Sequence, residues 1–182
     1  MKFPKPYADL VQRLRVASGL ALASSFFWLA KPTVGRLIAG AVISAGGLLL
    51  RAWAAGHLAK NERLATSGPY AWVRNPLYLG SVIAAAGLAL AGREWLMAMV
   101  FALVFVLIYL PAIQLEEEHL GKLFSGYERY ARRVPFLLPR PPSGPREVTF
   151  SPGRYMRNQE YKALAAWLVA LVWLWWRLPQ GQ

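Results

Sequence analysis

Two stretches of this chain combine residue types and spacing that could do chemistry, and both adjoin strongly apolar runs. The first, Thr66 to Gly80, reads Thr-Ser-Gly-Pro-Tyr-Ala-Trp-Val-Arg-Asn-Pro-Leu-Tyr-Leu-Gly. Gly68-Pro69 makes a turn. Pro76 stands where a helix begins, since its fixed φ suits the first helical position and its missing N–H is no loss there. Asn75, kept out of the helical region by the proline after it, is the expected N-cap. Leu77, Tyr78 and Leu79 then offer backbone N–H groups at the positive end of an apolar helix, an end suited to a small carboxylate or phosphate. The second stretch is Glu116-Glu117-Glu118, directly after an apolar run. Carboxylates at a membrane edge are costly unless paired or hydrated, so these either mark the water interface or hold a cationic or hydroxyl group of a ligand. His57 and His119, the only histidines, are the acid–base candidates; a lone histidine near an interface is more often structural. Arg51, inside an apolar run, either lines a pocket with Trp53 and Lys60 or snorkels to lipid headgroups.

The elements that must position these groups are helices. Leu10 to Ala30, Val34 to Gly56, Pro76 to Gly92 and Trp95 to Leu115 are apolar runs, and a span needs about 20 residues to cross a bilayer. The third run is short, so its start is expected inside the membrane boundary, in a protein-lined pocket. Gly46-Gly47 in the second run would let another helix approach closely. Arg93-Glu94 leaves room only for a tight turn, so the third and fourth runs form an antiparallel hairpin. From Glu116 to Arg133 the pattern becomes an amphipathic helix, with Glu116, Leu120, Leu123, Tyr127, Tyr130 and Val134 on one face. Prolines 135, 139, 141 and 142 end it, and Arg140 to Asn158 reads as a polar connecting segment. Ala163 to Trp176 is a last apolar run, read as a fifth span rather than an in-plane helix. The fold expected is all-α: a polytopic membrane bundle of about five transmembrane helices with a cytosolic amphipathic helix. Residues 1–182 form a single domain.

Composition agrees. The chain is 56% hydrophobic, carries a net charge of +12, and has eight Trp and eight Tyr, many near the ends of apolar runs, as interfacial anchors are. The Lys and Arg gather between apolar runs rather than among aromatics on a polar domain, which argues against nucleic acid and for topology signals and headgroup contacts. With no cysteine there is no disulfide framework, thiolate nucleophile or thiolate metal site, and no metal is expected. Met1 to Arg15 is amphipathic and contains Asp9, and no small-residue cleavage site follows, so it is not read as a removable signal peptide. With five spans, seventeen basic residues, among them Lys2, Lys5, Arg13, Arg63, Arg74, Lys122 and Arg146, fall on one side, and Lys31, Arg36, Arg93 and Arg177 on the other. The positive-inside rule puts the larger set, the N-terminus and both chemical stretches in the cytoplasm, the protein lying in the inner membrane.

The order of the two stretches adds a resemblance. Gly68-Pro69-Tyr70, then Val73-Arg74-Asn75-Pro76-Leu77-Tyr78-Leu79-Gly80, resembles the first signature of the isoprenylcysteine carboxyl methyltransferase family and its phospholipid methyltransferase relatives. Glu116-Glu117-x-x-Leu120, followed by Tyr127-x-x-Tyr130-x-x-Arg133-Val134-Pro135, resembles the second. The likeness covers residues 51–139, leaving 141–182 as an extension. It departs from the pattern at Asn75, where many members have histidine, and in a spacing from Glu117 to Tyr127 one residue shorter than in the eukaryotic enzymes. It implies an integral-membrane enzyme that takes S-adenosylmethionine without the soluble methyltransferase sheet. Cofactor contacts then fall to Tyr70, Arg74, Asn75, Pro76, Leu77, Tyr78, Leu79, Glu116, Glu117, Tyr127 and Tyr130. The helix start suits the methionyl carboxylate, Glu116 or Glu117 the ammonium or ribose hydroxyls, and a tyrosine face the sulfonium. Glu117, Arg133 and Tyr78 are the catalytic candidates, and Arg133 would steer an acidic acceptor group or the cofactor carboxylate. The acceptor implied is a lipophilic molecule entering from the bilayer: a carboxylate first, with a phospholipid amine or small thiol as alternatives. An amine would need a base, Glu117 or His119, whereas a carboxylate would not. A non-catalytic scaffold or transporter and a nicotinamide-dependent membrane reductase are the rival classes; no Gly-x-Gly-x-x-Gly fingerprint supports the second.

Overall fold

The computed structural model describes residues 4–142 and 150–179, so Lys2 and Arg146 of the charge tally lie outside the described residues. Among the described residues all regular structure is helical: α1 (Lys5–Leu29), α2 (Val34–His57), α3 (Pro76–Ala91), α4 (Trp95–Val104), α5 (Leu110–Leu123), α6 (Tyr127–Arg133), α7 (Pro152–Arg157) and α8 (Tyr161–Trp176). A 3₁₀ turn, Gly68–Ala71, precedes α3, and a π-helical segment, Phe105–Tyr109, joins α4 to α5 without a break. Two helices are long and apolar enough to cross a membrane: Val34–His57, 24 residues, and the continuous Trp95–Leu123, 29 residues. At 1.5 Å per residue these reach about 36 and 44 Å, past a hydrocarbon core of about 30 Å. Only 28% and 17% of their most apolar windows are buried, whereas the core helix of a water-soluble protein is mostly buried. Trp28, Val42, Leu49 and Val172 likewise point outward, a surface suited to hydrocarbon rather than water. Ala17–Leu29, Pro76–Ala91 and Tyr161–Trp176 are apolar but shorter, so the expected count of five spans is met by length in two.

The chain divides into two compact units, Met1–Ser44, Ala85–Glu118 and Leu168–Gln182 in the first, Ala45–Ala84 and His119–Trp167 in the second. In the first unit, Pro111 explains the π segment. A proline has no N–H for the carbonyl four residues earlier, which is Leu107, and the helix widens there; Leu110 N–H bonds the carbonyl of Phe105 instead. The Leu107 carbonyl finds another donor, the Tyr7 hydroxyl at 2.6 Å. Arg93 takes a left-handed φ of 56° in the expected tight turn between α3 and α4, and Gly92 accepts from Lys31 N–H at 2.8 Å. At the end of α1 the Arg177 guanidinium donates to the carbonyls of Trp28 and Ala30, a basic side chain capping a helix C-terminus.

α2 and α3 run antiparallel along a seam of small residues. In the first unit a Cβ on Gly40 or Gly87 would collide with the other helix's backbone. In the second unit a Cβ on Gly47 would lie 2.5 Å from Gly80 O, and one on Gly80 2.6 Å from Gly47 O. Gly47 therefore does what the Gly46-Gly47 pair was expected to do, whereas nothing lies within 4 Å of a Cβ on Gly46.

The expected amphipathic helix from Glu116 to Arg133 is interrupted. Its first part, Glu116 to Leu123, belongs to α5, continuous with the fourth apolar run; the chain leaves the helix at Phe124 and restarts as α6 at Tyr127. Ser125-Gly126 supplies the break, Gly126 being a poor residue for a helix interior. The face consequently splits: Tyr127 is buried, but Glu116 and Leu123 are exposed.

Residues 150–158, at the end of the segment read as a polar connection, are likewise more than that. Ser151 caps α7, its hydroxyl accepting from Arg154 N–H at 3.4 Å, with Pro152 in the first helical position. This segment closes the C-terminus of α2: Ser151 N–H bonds Gly56 O at 2.9 Å, and the Asn158 amide bonds Ala55 O and Leu58 O, each at 2.9 Å. Carbonyls in the last turn of a helix have no intrahelical donor, and those of Ala55 and Gly56 acquire one from the extension, as does the Leu58 carbonyl just beyond the helix.

Candidate active site at the start of the third helix

The second unit builds its site from a turn, a helix start and the segment that follows α6. Gly68 has φ +59°, and a Cβ there would lie 2.6 Å from Nε2 of the His57 ring, so this turn requires glycine for both backbone and space. His57 is completely buried, with Nδ1 3.0 Å from Ser67 Oγ and its ring edge-on to Trp53 and Phe150. Those contacts make it part of the packing under the turn. His119, by contrast, is exposed on α5.

The turn sets Tyr70 inside the unit, 7% exposed, in an apolar cluster with Ala54 and Ala65 that Leu77 packs against. From there the chain turns through Trp72 and passes to Asn75, bonded along the way to residues 135–140. Arg74 N–H bonds Pro135 O at 2.9 Å, the Asn75 amide bonds Phe136 O at 3.2 Å, and Arg140 N–H bonds Trp72 O at 3.0 Å. The Arg74 guanidinium sits 5.6 Å from the centre of the Phe136 ring, in cation–π range. The Tyr130 hydroxyl donates to the Tyr70 carbonyl at 2.8 Å. The Gly-Pro-Tyr…Asn-Pro stretch and the Tyr-x-x-Arg-Val-Pro stretch, 60 residues apart at that bond, thus form one folded body.

α3 begins at Pro76 as expected, and Asn75 O accepts the helix's first bond from Leu79 N–H at 3.0 Å. The Leu79 amide is therefore occupied and is not among the anion-binding donors the sequence suggested; the residues before it in the first turn carry the positive helix end. Pro76 is buried, and Leu77, Tyr78 and Leu79 are half-buried. Tyr127 and Tyr130 stand with ring centres 6.1 Å apart. Arg133 is exposed on the last turn of α6.

Glu116 and Glu117 belong to the first unit, on α5; Glu117 is half-buried, whereas Glu116 and Glu118 are exposed. A helical turn that shelters one of three consecutive carboxylates singles out Glu117 over its neighbours.

Arg51 is a residue whose role the sequence left open, and its guanidinium is engaged by protein groups of the second unit. Nε and Nη2 donate to the two carboxylate oxygens of Glu160 at 2.9 and 2.7 Å, and Nη1 donates to Leu77 O at 3.2 Å and to Ser81 Oγ. The partner was not legible because Glu160 lies 109 positions away, between the segment read as a connection and the last apolar run.

A sheetless, helical, membrane-suited protein whose polar site gathers at a proline-started helix defines the class into which the comparisons fall. The family model for phospholipid methyltransferase matches residues 41–126, just under half of the chain, and this, with a relative named below, supports the resemblance to the phospholipid and isoprenylcysteine methyltransferases. The chain is 37% identical over 92 residues to a cobalt-zinc-cadmium resistance protein of Cupriavidus metallidurans, covering 50% of this chain and 43% of that protein. It is 34% identical over 110 residues to a nickel-cobalt-cadmium resistance protein of Alcaligenes xylosoxydans xylosoxydans, covering 59% and 49%. With the protein-S-isoprenylcysteine O-methyltransferase of Schizosaccharomyces pombe it shares 28% identity over 141 residues, 74% of this chain and 59% of that enzyme. The chain thus spans about half the length of the curated relatives it matches. No solved structure matches it. Among the described residues no group of three or more His, Asp or Glu could hold a metal ion.

Proposed function

We propose that this chain is a five-span inner-membrane methyltransferase, its site facing the cytoplasm, that moves a methyl group from S-adenosylmethionine to a lipophilic acceptor, a carboxylate in the first instance. The observation that carries this is the Tyr130–Tyr70 bond with the backbone bonds beside it, because it joins the first signature stretch to the Tyr-x-x-Arg-Val-Pro part of the second at the start of α3. The donor set suits the cofactor. Within the second unit the first turn of α3 offers a positive end for its carboxylate and the Tyr127 and Tyr130 rings an aromatic pair for its sulfonium; the family resemblance alone would give Glu116 and Glu117, in the first unit, its ammonium or ribose hydroxyls. When bound, S-adenosylmethionine supplies an electrophilic methyl on a fixed cation. The protein's own part is positioning: Tyr78 packs at the helix start, Glu117 orients by charge, and Arg133, exposed to the cytosolic side in this topology, draws in an anionic acceptor. An ionised carboxylate is already a nucleophile, so no base is required.

A second acceptor class has its own support, since the matching family is described by phospholipids. There an amine must lose a proton, and Glu117 or exposed His119 would take it.

Both readings are tested by incubating purified protein with lipid extract and methyl-labelled S-adenosylmethionine, then resolving the products by mass spectrometry. A methyl ester that releases labelled methanol in alkali supports the carboxylate; an alkali-stable methylated headgroup supports the amine. Glu117→Gln and Tyr78→Ala should each lower turnover by about a hundredfold, the scale of a lost acid–base or positioning group. No labelled lipid with either acceptor, with full-length protein folded, would overturn the proposal.

A further inference from the structure

Arg51 emerges from a helix long and apolar enough to span a membrane, and its side chain is only 23% exposed, that of Glu160 11%. A charge in such a place is expensive, and a buried ion pair is a weak way to hold two helices together; an apolar pair of similar volume would do as well or better. What apolar packing cannot supply is rotational register. α3 is apolar on every side, so burial alone does not fix its rotation; the Gly80 and Gly87 seam selects the face that meets α2 but still accepts small rotations. The Arg51 fork fixes the rotation. Two of its nitrogens are held by Glu160, and the third reaches Leu77 O and Ser81 Oγ in the first turns of α3. Ser81 Oγ also donates to Leu77 O at 2.9 Å, so the same carbonyl is held from two directions. The stem of Arg51 contributes too, since its Cγ occupies the space where a side chain at residue 80 would begin. Glu160 is itself presented firmly, because Ser151 and Asn158 tie the segment before it to the end of α2.

We propose that Arg51 is a positioning residue for the first turn of α3, and that Glu160, outside the segment matched by the family model, sets the Arg51 fork for that task. The inference rests on the reading that this first turn receives the cofactor carboxylate. It implies that the C-terminal extension is part of the working site although it touches no reacting atom.

The test uses the full chain in detergent, with S-adenosylmethionine affinity by calorimetry and amide hydrogen exchange along α3 as separate readouts. Arg51→Lys keeps the charge and the ion pair but cannot hold a carboxylate and a carbonyl in one fork. It and Glu160→Gln should each weaken cofactor binding by about tenfold, the size usual for groups that orient a ligand-binding residue. Exchange should rise in residues 77–81 and stay unchanged in 87–91. A plain tether between helices predicts the opposite pattern, exchange rising along all of α3 with affinity unchanged, and that result would overturn the proposal. Should either variant fail to fold, Ser81→Ala leaves the ion pair intact and removes one acceptor; unaltered affinity and exchange would again overturn it. If the wild type binds no S-adenosylmethionine, the functional reading falls, and the exchange pattern alone decides the clamp: a local rise supports it, no local rise contradicts it.

Discussion

The two ends of α3 are held in different ways. At its start, Asn75, Leu77 and Ser81 are tied by directed hydrogen bonds to Phe136 and Arg51. Toward its end, Gly87 and Ala91 pack by size alone against Gly40 and Ser44. Close packing of small residues tolerates no added atoms but accepts small rotations; directed bonds fix orientation and contribute little to stability each. A helix whose start must present its amides at a set angle needs the second kind of restraint there and only the first kind elsewhere.

Substitutions can separate the two. The largest effect is expected in the seam. Gly47→Val or Gly87→Leu puts atoms into the opposing backbone and should cost about 3 kcal/mol or abolish folded yield, whereas Gly46→Val, facing open space, should leave the melting temperature within a degree or two. Thermal unfolding in detergent reads both, and equal behaviour of Gly46 and Gly47 variants would refute the seam. Gly68→Ala comes next: strain at positive φ adds to a collision with the His57 ring, for a loss of about 2 kcal/mol. At the polar end Tyr130→Phe removes one hydrogen bond to Tyr70 O. It should lower stability by about 1 kcal/mol and reduce cofactor affinity several-fold, because the tie between the two signature stretches is lost. Smallest is Arg132→Ala, which breaks an exposed contact with Glu128 at 3.8 Å and should change neither stability nor activity measurably.

How much of this could be read from the sequence follows the range of the signals. Pro76, Asn75 and the Gly68-Pro69 turn act locally through φ and missing donors, and the structure places them as read. The tight turn at Arg93 and the use of Gly47 were equally local. The break at Phe124–Gly126 was misread because helical spacing continues across it, although Ser125-Gly126 was a visible warning. α7 also carried its own signature, Ser151-Pro152, which the surrounding prolines and charges obscured. The π segment followed from Pro111 inside an apolar run. What no pattern could reveal was pairing at long range, Arg51 with Glu160 and Asn158 with the end of α2, since a single sequence has no local mark for contacts about a hundred residues apart.

The central claim is that S-adenosylmethionine binds at the start of α3. Ultraviolet crosslinking of methyl-labelled cofactor to the purified protein, followed by peptide mapping, tests it directly. The account predicts saturable label within residues 66–81, competed by S-adenosylhomocysteine and lost in Tyr78→Ala. Saturable label confined to any other segment, or none at all on folded protein, would contradict it.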